Sequence, residues 1–306
     1  MALDVKIIIN TKQPVGSVGF GCPLILEENA TEEKAYQEIN SLDALVKAGY
    51  TTDSKVYKTA QLMFMQDYIP EKIAVCTIKT TANEWVADED NVSKDWRQLL
   101  VVSASADKET NVTGIMTAIE AQKTYPKMYY ANLDFEDSTT LTVDGILRTV
   151  LCYYTPTTDI PCPVAALAGQ VAGLEVGSYT LNNMTVKGIS GLEISQTEIE
   201  NIHKKGGITF VVSAGDVVAS EGITAGGLFV DNVDGDDYIK QQLEYNTQKV
   251  FNINLKVPFT NVGIGLLESA AETVMKDAQN KGIIDDYKVQ YTLREDTPEA
   301  DTGENC

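Results

Sequence analysis

The amino-acid sequence predicts an α/β (α+β) protein in which mixed sheets are flanked by helices. Several short, near-continuous apolar runs alternate with helical segments, which is typical of a sheet covered on both faces. The last quarter of the chain has the periodicity of two amphipathic helices. A length of 306 residues is enough for a large core and for one or two domains.

The chain opens with a β-rich run, residues 3–10 (LDVKIIIN), followed by a glycine-broken connector from Lys12 to Gly21. A strand followed by a flexible hinge is what an arm needs if it is to pair with a neighbouring chain. The same run is equally suited to be the first strand of the protein's own sheet. On the arm interpretation, the arm and its connector span residues 1–21.

An α/β domain is predicted over residues 22–160. It begins with a helix in Ala30–Ala48 and a second in Asp53–Asp67. Four buried strands and one further helix follow, in the order Ile73–Ile78, Leu99–Ser103, helix Glu109–Lys123, Met128–Ala131 and Val150–Tyr154.

A second domain is predicted over residues 161–284. Its first half contains a helix rich in small residues, a short polar helix, a strand and a tight turn: Pro163–Val171, residues 197–206, Ile208–Ser213 and Gly222–Gly227. Small side chains in the first helix predict close approach to a neighbouring element.

The residue pattern from Gly226 to Ile284 is typical of secondary-structure elements that pack on one another. We predict a strand at G-L-F-V-D, an acidic turn, a helix capped by Asp236 or Asp237, a V-P-F-T connector and a helix ended by Gly282. The apolar face of the first helix comprises Ile239, Leu243, Thr247 and Val250. That of the second comprises Leu267, Ala270, Ala271, Val274 and Ala278. The outward charges of the second helix are Glu268, Glu272, Lys276 and Asp277.

Residues 285–306 are predicted to form one strand, Tyr287–Leu293, and an acidic, disordered tail. Val289, Tyr291 and Leu293 alternate with polar residues along that strand.

Charge excludes several classes of partner. A formal charge of −20 argues against nucleic acid and against an anionic membrane surface, both of which need a basic face. No apolar run reaches the roughly 20 residues of a membrane span, and no secretory signal is apparent, so a cytoplasmic protein is expected. Five scattered cysteines predict reduced, mostly buried thiols.

Candidate chemistry is sparse, and we predict no catalytic, cofactor-binding or metal-ligating residue. His203 is the sole histidine and lies late in a polar helix. The aspartates of 231–237 fail the register of a calcium loop, and Gly16–Gly21 lacks the G-x-G-x-x-G spacing. Four glutamates are interpreted as a solvated helix start rather than a glycosidase pair: Glu27, Glu28, Glu32 and Glu33.

Three sequence features together resemble the contractile tail sheath proteins of bacteriophages and phage-tail-like particles, especially the compact sheaths of phages of Gram-positive bacteria. The first is the order of elements from Gly226 to Ile284, and the second is the P-V-A-A-L-A-G helix at Pro163. The third is the segment S-L-D-A-L-V-K-A-G-Y with the helix that follows it and ends at Pro70. The resemblance covers most of Val5–Ile284.

The resemblance implies a structural subunit that stacks in rings around an inner tube and contracts to drive the tube through a target envelope. It implies extended N- and C-terminal arms that add strands to neighbouring copies. By position these are Val5, Lys6, Ile7, Ile8, Ile9 and Asn10, and later Tyr287, Val289, Tyr291 and Leu293. The helix Leu266–Ala278, with Glu268, Glu272, Lys276 and Asp277, would face the tube.

The implied partners are further copies of the chain, the inner tail tube protein and baseplate proteins, in a virion tail assembled in the bacterial cytoplasm. Sheath proteins usually continue with a basic and apolar arm, whereas this chain turns acidic at Glu295. Two alternatives remain open: an α/β enzyme or ligand-binding protein, and a non-contractile tail protein. A deep pocket at the carboxyl ends of Ile73–Ile78 and Leu99–Ser103 would favour the first.

Overall fold

The computed structural model describes residues 20–103, 109–135 and 141–291. The predicted arm strand Val5–Asn10 and Leu293 therefore lie outside the described residues. The chain divides into two compact units, Gly19–Asp234 and Gly235–Cys306, the latter together with Met1–Val18. The division falls within one helix.

The described residues contain nine strands and nine helices. The strands are β1 Leu24–Glu28, β2 Lys34–Ile39, β3 Ile73–Ile78, β4 Gln98–Val102, β5 Met128–Leu133, β6 Thr149–Tyr153, β7 Gly207–Ile208, β8 Phe210–Ser213 and β9 Asp216–Ala219. The helices are α1 Leu42–Lys47, α2 Lys55–Phe64, α3 Ala82–Ala87, α4 Glu89–Val92, α5 Glu109–Glu120, α6 Ala165–Ala172, α7 Gln196–Lys204, α8 Val230–Ile253 and α9 Asn261–Asn280.

A seven-stranded mixed sheet organises the larger unit, in the order β2-β3-β1-β4-β5-β6-β7. The edge strand β2 is antiparallel to β3, and the other neighbours pair in parallel. The sheet continues past residue 160, because β7 pairs with β6. This confirms the predicted α/β class with a mixed sheet; β8 and β9 form a separate antiparallel hairpin.

Both faces of the sheet are covered, because alternate side chains of each strand enter different cores. In β1, Ile25 packs into a cluster with Met63 of α2 and Leu167 of α6. Leu24, from the same strand, packs into a second cluster with Ile115 of α5. The result is a helix–sheet–helix sandwich, which explains why the inner strands are apolar on both faces.

The helix predicted from the small residues at Pro163–Val171 is confirmed as α6, all of which is buried. At Gly169 a Cβ atom would lie 2.6 Å from the Met63 Cα atom of α2. Only a residue without a side chain allows this crossing, so the small-residue pattern encodes close packing of two helices.

Two predictions for the first 48 residues are wrong. Ala30–Ala48 is not one helix: it contains β2, whose Gln37 and Ile39 pair with β3, and only then α1. Glu27 and Glu28 do not begin a helix but end β1, an inner strand that sequence analysis missed. Glu27 accepts a hydrogen bond from the Thr77 hydroxyl (2.9 Å), and Glu28 accepts one from the Ala82 N–H (2.7 Å).

The predicted strand and acidic turn at 226–237 are also wrong. Phe229 makes an isolated bridge with Ile223, and α8 begins directly at Val230. Asp236 and Asp237 therefore lie inside the helix and do not cap it. Nor is Ile208–Ser213 one strand: Ile208 belongs to the main sheet and Phe210 to the hairpin.

Candidate functional site

The α8–α9 pair carries the side chains predicted to face a tube, and α9 is built as a well-terminated helix. The Thr260 side chain caps its start by accepting the Gly263 N–H at 3.4 Å. After the C-cap residue Lys281, Gly282 has a φ of +72°, as its predicted capping role requires. Of the predicted apolar stripe, Val274 and Ala278 are buried, whereas Leu267, Ala270 and Ala271 are half-buried.

A three-residue cluster ties the far end of α9 back to the first half of α8. The Tyr238 hydroxyl donates to the Asp277 carboxylate at 2.8 Å, and the Lys281 ammonium donates to the Tyr238 oxygen at 2.7 Å. Partial burial raises the pKa of Tyr238. Burial opposes the charged form of Lys281, but Tyr238 and Asp277 outweigh it and raise the pKa of that lysine. The two helices therefore run antiparallel and are joined at both ends.

The predicted tube-facing residues have different environments. Glu272 and Lys276 are exposed, and Lys276 donates to Gln279 at 3.0 Å. Glu268 and Asp277 are half-buried, and the Asp277 carboxylate is engaged with Tyr238. Glu272 and Lys276 are thus the charges of this set that are best placed to meet a partner.

Sequence analysis missed an apolar surface at the connected ends of α8 and α9. The exposed large side chains there include Phe251, Ile253, Leu255, Val262 and Leu266. Leu255 and Val262 are the extremes, with relative exposures of 110% and 75%. We call these five residues the hairpin tip. No clear signal for this surface is present in the sequence, because Ile253 lies three residues after Val250 and continues the predicted buried face.

The described part of the predicted C-terminal arm is not paired in a sheet. Residues Tyr287–Tyr291 have no regular secondary structure. Their side chains alternate as far as Gln290: Tyr287 and Val289 are half-buried, and Lys288 and Gln290 are exposed. Tyr291, which was predicted to share the apolar side, is exposed.

The start of α8 is fixed within the larger unit. Asp234, in its first turns, is buried and accepts hydrogen bonds from the Arg97 guanidinium and from the Tyr179 hydroxyl, the latter at 2.7 Å. Burial and the adjacent Asp234 charge raise the pKa of Tyr179. The carboxylate is therefore a structural anchor.

A cavity of about 400 Å³ opens at the carboxyl ends of β4 and β5. It is lined by Lys55, Ser103, Asn132 and Cys162 among others. Among the described residues, the buried Asn132 Oδ1 atom has no hydrogen-bond donor. Burial raises the pKa of the Cys162 thiol to about 12, so it is a neutral thiol and a poor nucleophile.

His203 has a structural contact. Its Nε2 atom lies 3.0 Å from the Ser220 hydroxyl, which also accepts the Thr209 N–H. The pair bridges α7 to the end of the β8–β9 hairpin. Across the described ranges, no cluster of three or more potential metal ligands forms, and no helix is both long and apolar enough to cross a bilayer.

No protein-family model and no curated protein matches the chain in sequence. Solved structures match in fold. A chain of the anti-feeding prophage baseplate has a TM-score of 0.67 and 14% identity over 92% of this chain and 85% of its own. For the contracted PVC sheath complex of an extracellular contractile injection system, the TM-score is 0.67 and the identity 13%, over 94% of this chain and 85% of the other. For the sheath tail protein of Desulfitobacterium hafniense, the TM-score is 0.55 and the identity 10%, over 90% of this chain and 89% of the other.

Proposed function

We propose that this chain, which has the fold of tail sheath proteins, is the structural subunit of a contractile tail sheath. It polymerises around an inner tube and contracts to drive the tube through a target envelope. The observation that carries the proposal is that the likeness to the PVC sheath spans 94% of the chain, both compact units included. Because a fold alone does not fix function, the proposal relies on a likeness that extends over the whole chain rather than over one domain.

The sheath role needs no catalysis by the chain, because the energy of contraction is stored in the assembly as a bistable set of interfaces. We therefore assign no enzymatic activity and no cofactor. The neutral Cys162 thiol and the structural contact of His203 are consistent with this assignment.

The partners follow from the same role: other copies of the chain, the inner tube protein and baseplate proteins, assembled in a bacterial cytoplasm. We assign the arms to Val5–Asn10 and Tyr287–Leu293. The alternating burial of Tyr287, Lys288 and Val289 supports the second arm, because an extended segment with one apolar side is suited to join a sheet edge. We assign Glu272 and Lys276 of α9 to the tube contact.

Electron microscopy tests the proposal. The purified chain is imaged in negative stain, alone and co-expressed with an inner tube protein. Hollow, ridged cylinders are expected in at least the co-expressed sample. Monodisperse particles under both conditions would overturn the sheath role.

The cavity beside Asn132 favours one second candidate, a ligand-binding α/β protein. Ligands of open α/β sheets bind at the carboxyl ends of the strands, where this cavity lies. A thermal-shift screen with nucleotides, polyols and organic acids separates the two candidates. A raised melting temperature that Asn132→Ala abolishes would support ligand binding, and no shift with any compound would count against it.

A further inference from the structure

The hairpin tip lies in a stretch of the chain with unusual charge. Tyr245–Leu267 contains two lysines, Lys249 and Lys256, and no aspartate or glutamate. The whole chain carries 44 acidic residues against 24 basic ones. The tip is therefore an apolar surface with positive charge on a strongly negative protein.

The tip is built as a defined surface. Asn254 donates its side-chain amide to the Val250 carbonyl at 2.8 Å, which closes the end of α8. Thr260 caps α9, and the Pro258 carbonyl oxygen would lie 1.9 Å from a Cβ atom on Gly263, so the connector turns tightly against the helix. Val262 and Leu266 are one turn apart on α9 and share its exposed side.

Exposed apolar side chains in a cluster mark an interaction site. In an acidic protein, copies repel one another over most of their surface. The surface that can approach another copy at least electrostatic cost is one without carboxylates, and Tyr245–Leu267 is such a surface. Its two lysines add attraction toward any acidic patch.

A surface of matching character lies after α2 in the larger unit. Met65, Tyr68 and Ile69 are exposed, with relative exposures of 43%, 54% and 54%. Asp67 and Glu71, both exposed, lie between and beside them, and Asp67 is paired with the exposed Lys187. This segment, Met65–Glu71, thus presents apolar side chains together with carboxylates.

We propose that the hairpin tip docks on the Met65–Glu71 segment of a second copy of this chain. The contact joins two different surfaces and is heterologous, so it leaves one free surface on each copy and propagates into a ring or helix. This inference rests on the proposed sheath function in one respect, because it takes the partner to be another copy.

Photo-crosslinking of the full-length chain tests the contact. A benzophenone amino acid replaces Val262, and the crosslinked peptides are identified by mass spectrometry. We expect a two-copy product that joins the tip to a peptide containing Met65–Glu71, with a yield that falls as salt rises. A product that maps elsewhere, or no two-copy product, would overturn the proposal.

Matched variants sharpen the test. Leu255→Asp places a carboxylate in the tip, and Ser269→Asp places one on an exposed site of α9 outside it. The first should lower the crosslink yield roughly tenfold or more, and the second should leave it unchanged. Circular dichroism checks that both variants fold, as full exposure of Leu255 predicts.

Microscopy of the same samples separates this inference from the sheath proposal. If Leu255→Asp forms cylinders as the wild type does, the tip contact is wrong and the sheath role stands. If the wild type gives the expected crosslink but no cylinders with the tube protein, the contact stands and the sheath role is wrong.

Discussion

Arg97 and Asp234 form a buried ion pair across 137 residues of sequence. Arg97 directly precedes β4, and Asp234 lies in the first turns of α8. The guanidinium Nε–H donates to Asp234 Oδ1 at 3.2 Å, while Nη1–H donates to the Pro126 carbonyl at 2.9 Å. Tyr179 satisfies the second carboxylate oxygen. The first turns of α8 are thereby fixed to the mixed sheet of the larger unit.

Breaking this pair should be costly. Asp234→Asn leaves the Arg97 charge buried without its counter-charge, and we expect a loss of about 3–5 kcal/mol in the free energy of unfolding. The exposed pair between Lys187 and Asp67 is the control, for which Lys187→Met should cost less than about 1 kcal/mol. Urea unfolding measures both. Equal losses would show that burial of the Arg97–Asp234 pair does not determine its contribution.

The packing of α6 on α2 gives a second prediction. A Cβ atom at Gly169 would lie 2.6 Å from Met63 Cα, so Gly169→Ala must push the two buried helices apart. We expect the free energy of unfolding to fall by about 1–3 kcal/mol, as measured by thermal or urea unfolding.

Gly265→Ala in α9 is the matched control for that variant. A Cβ atom there meets nothing within 4 Å. Because alanine has a higher helix propensity than glycine, this variant should increase the free energy of unfolding by up to about 1 kcal/mol. A stable Gly169→Ala protein would mean that the two helices are not packed this closely.

The strands that sequence analysis found and missed differ in a physical way. β3 and β4 are buried on both faces, so their apolar runs stand out in the sequence. β2 is an edge strand rich in Lys, Ala, Gln and Glu, which prefer helices, and its pairing with β3 overrides that preference. β1 is short and ends in two glutamates whose hydrogen bonds come from distant residues.

The α8–α9 pair could also be predicted only in part from the sequence. The amphipathic period of α9 predicted which face is buried, because Val274 and Ala278 repeat at helical spacing. The start of α8 could not be predicted, since it depends on Arg97, which is remote in sequence. The exposure of Ile253 and Leu255 likewise depends on where α8 ends in space.

Lys127 predicts a pH dependence of stability. It is 6% exposed, donates to the carbonyls of Lys94 and Trp96, and lies 4.5 Å from the centroid of the Trp96 ring. Burial, assisted by the Arg97 charge, lowers the pKa of Lys127 from 10.5 to about 7. Between these values the unfolded chain binds the proton and the folded chain does not, so stability should rise as pH increases above about 7.

The slope of this rise is at most about 1.4 kcal/mol per pH unit, and Lys127→Met should remove it. Urea unfolding between about pH 7 and pH 8.5 is the measurement, because at higher pH the raised pKa values of buried thiols such as Cys22 act in the opposite direction. The comparison is of slopes, since the substitution also leaves two carbonyls without their donor. A variant with the wild-type slope would show that Lys127 is protonated in the folded protein throughout this range.

The proposed tube contact of α9 gives a functional prediction. Glu272 is exposed and Asp277 is held by Tyr238, so charge reversal at Glu272 changes the outward face of α9 without disturbing the helix pair. Glu272→Lys should weaken co-sedimentation of the chain with the inner tube and change its salt dependence, since exposed interface charges act through screened, long-range terms. Glu200→Lys applies the same charge change on α7 of the larger unit and should have no effect on tube binding. If the two variants lose tube binding equally, the effect comes from net charge, and α9 does not face the tube.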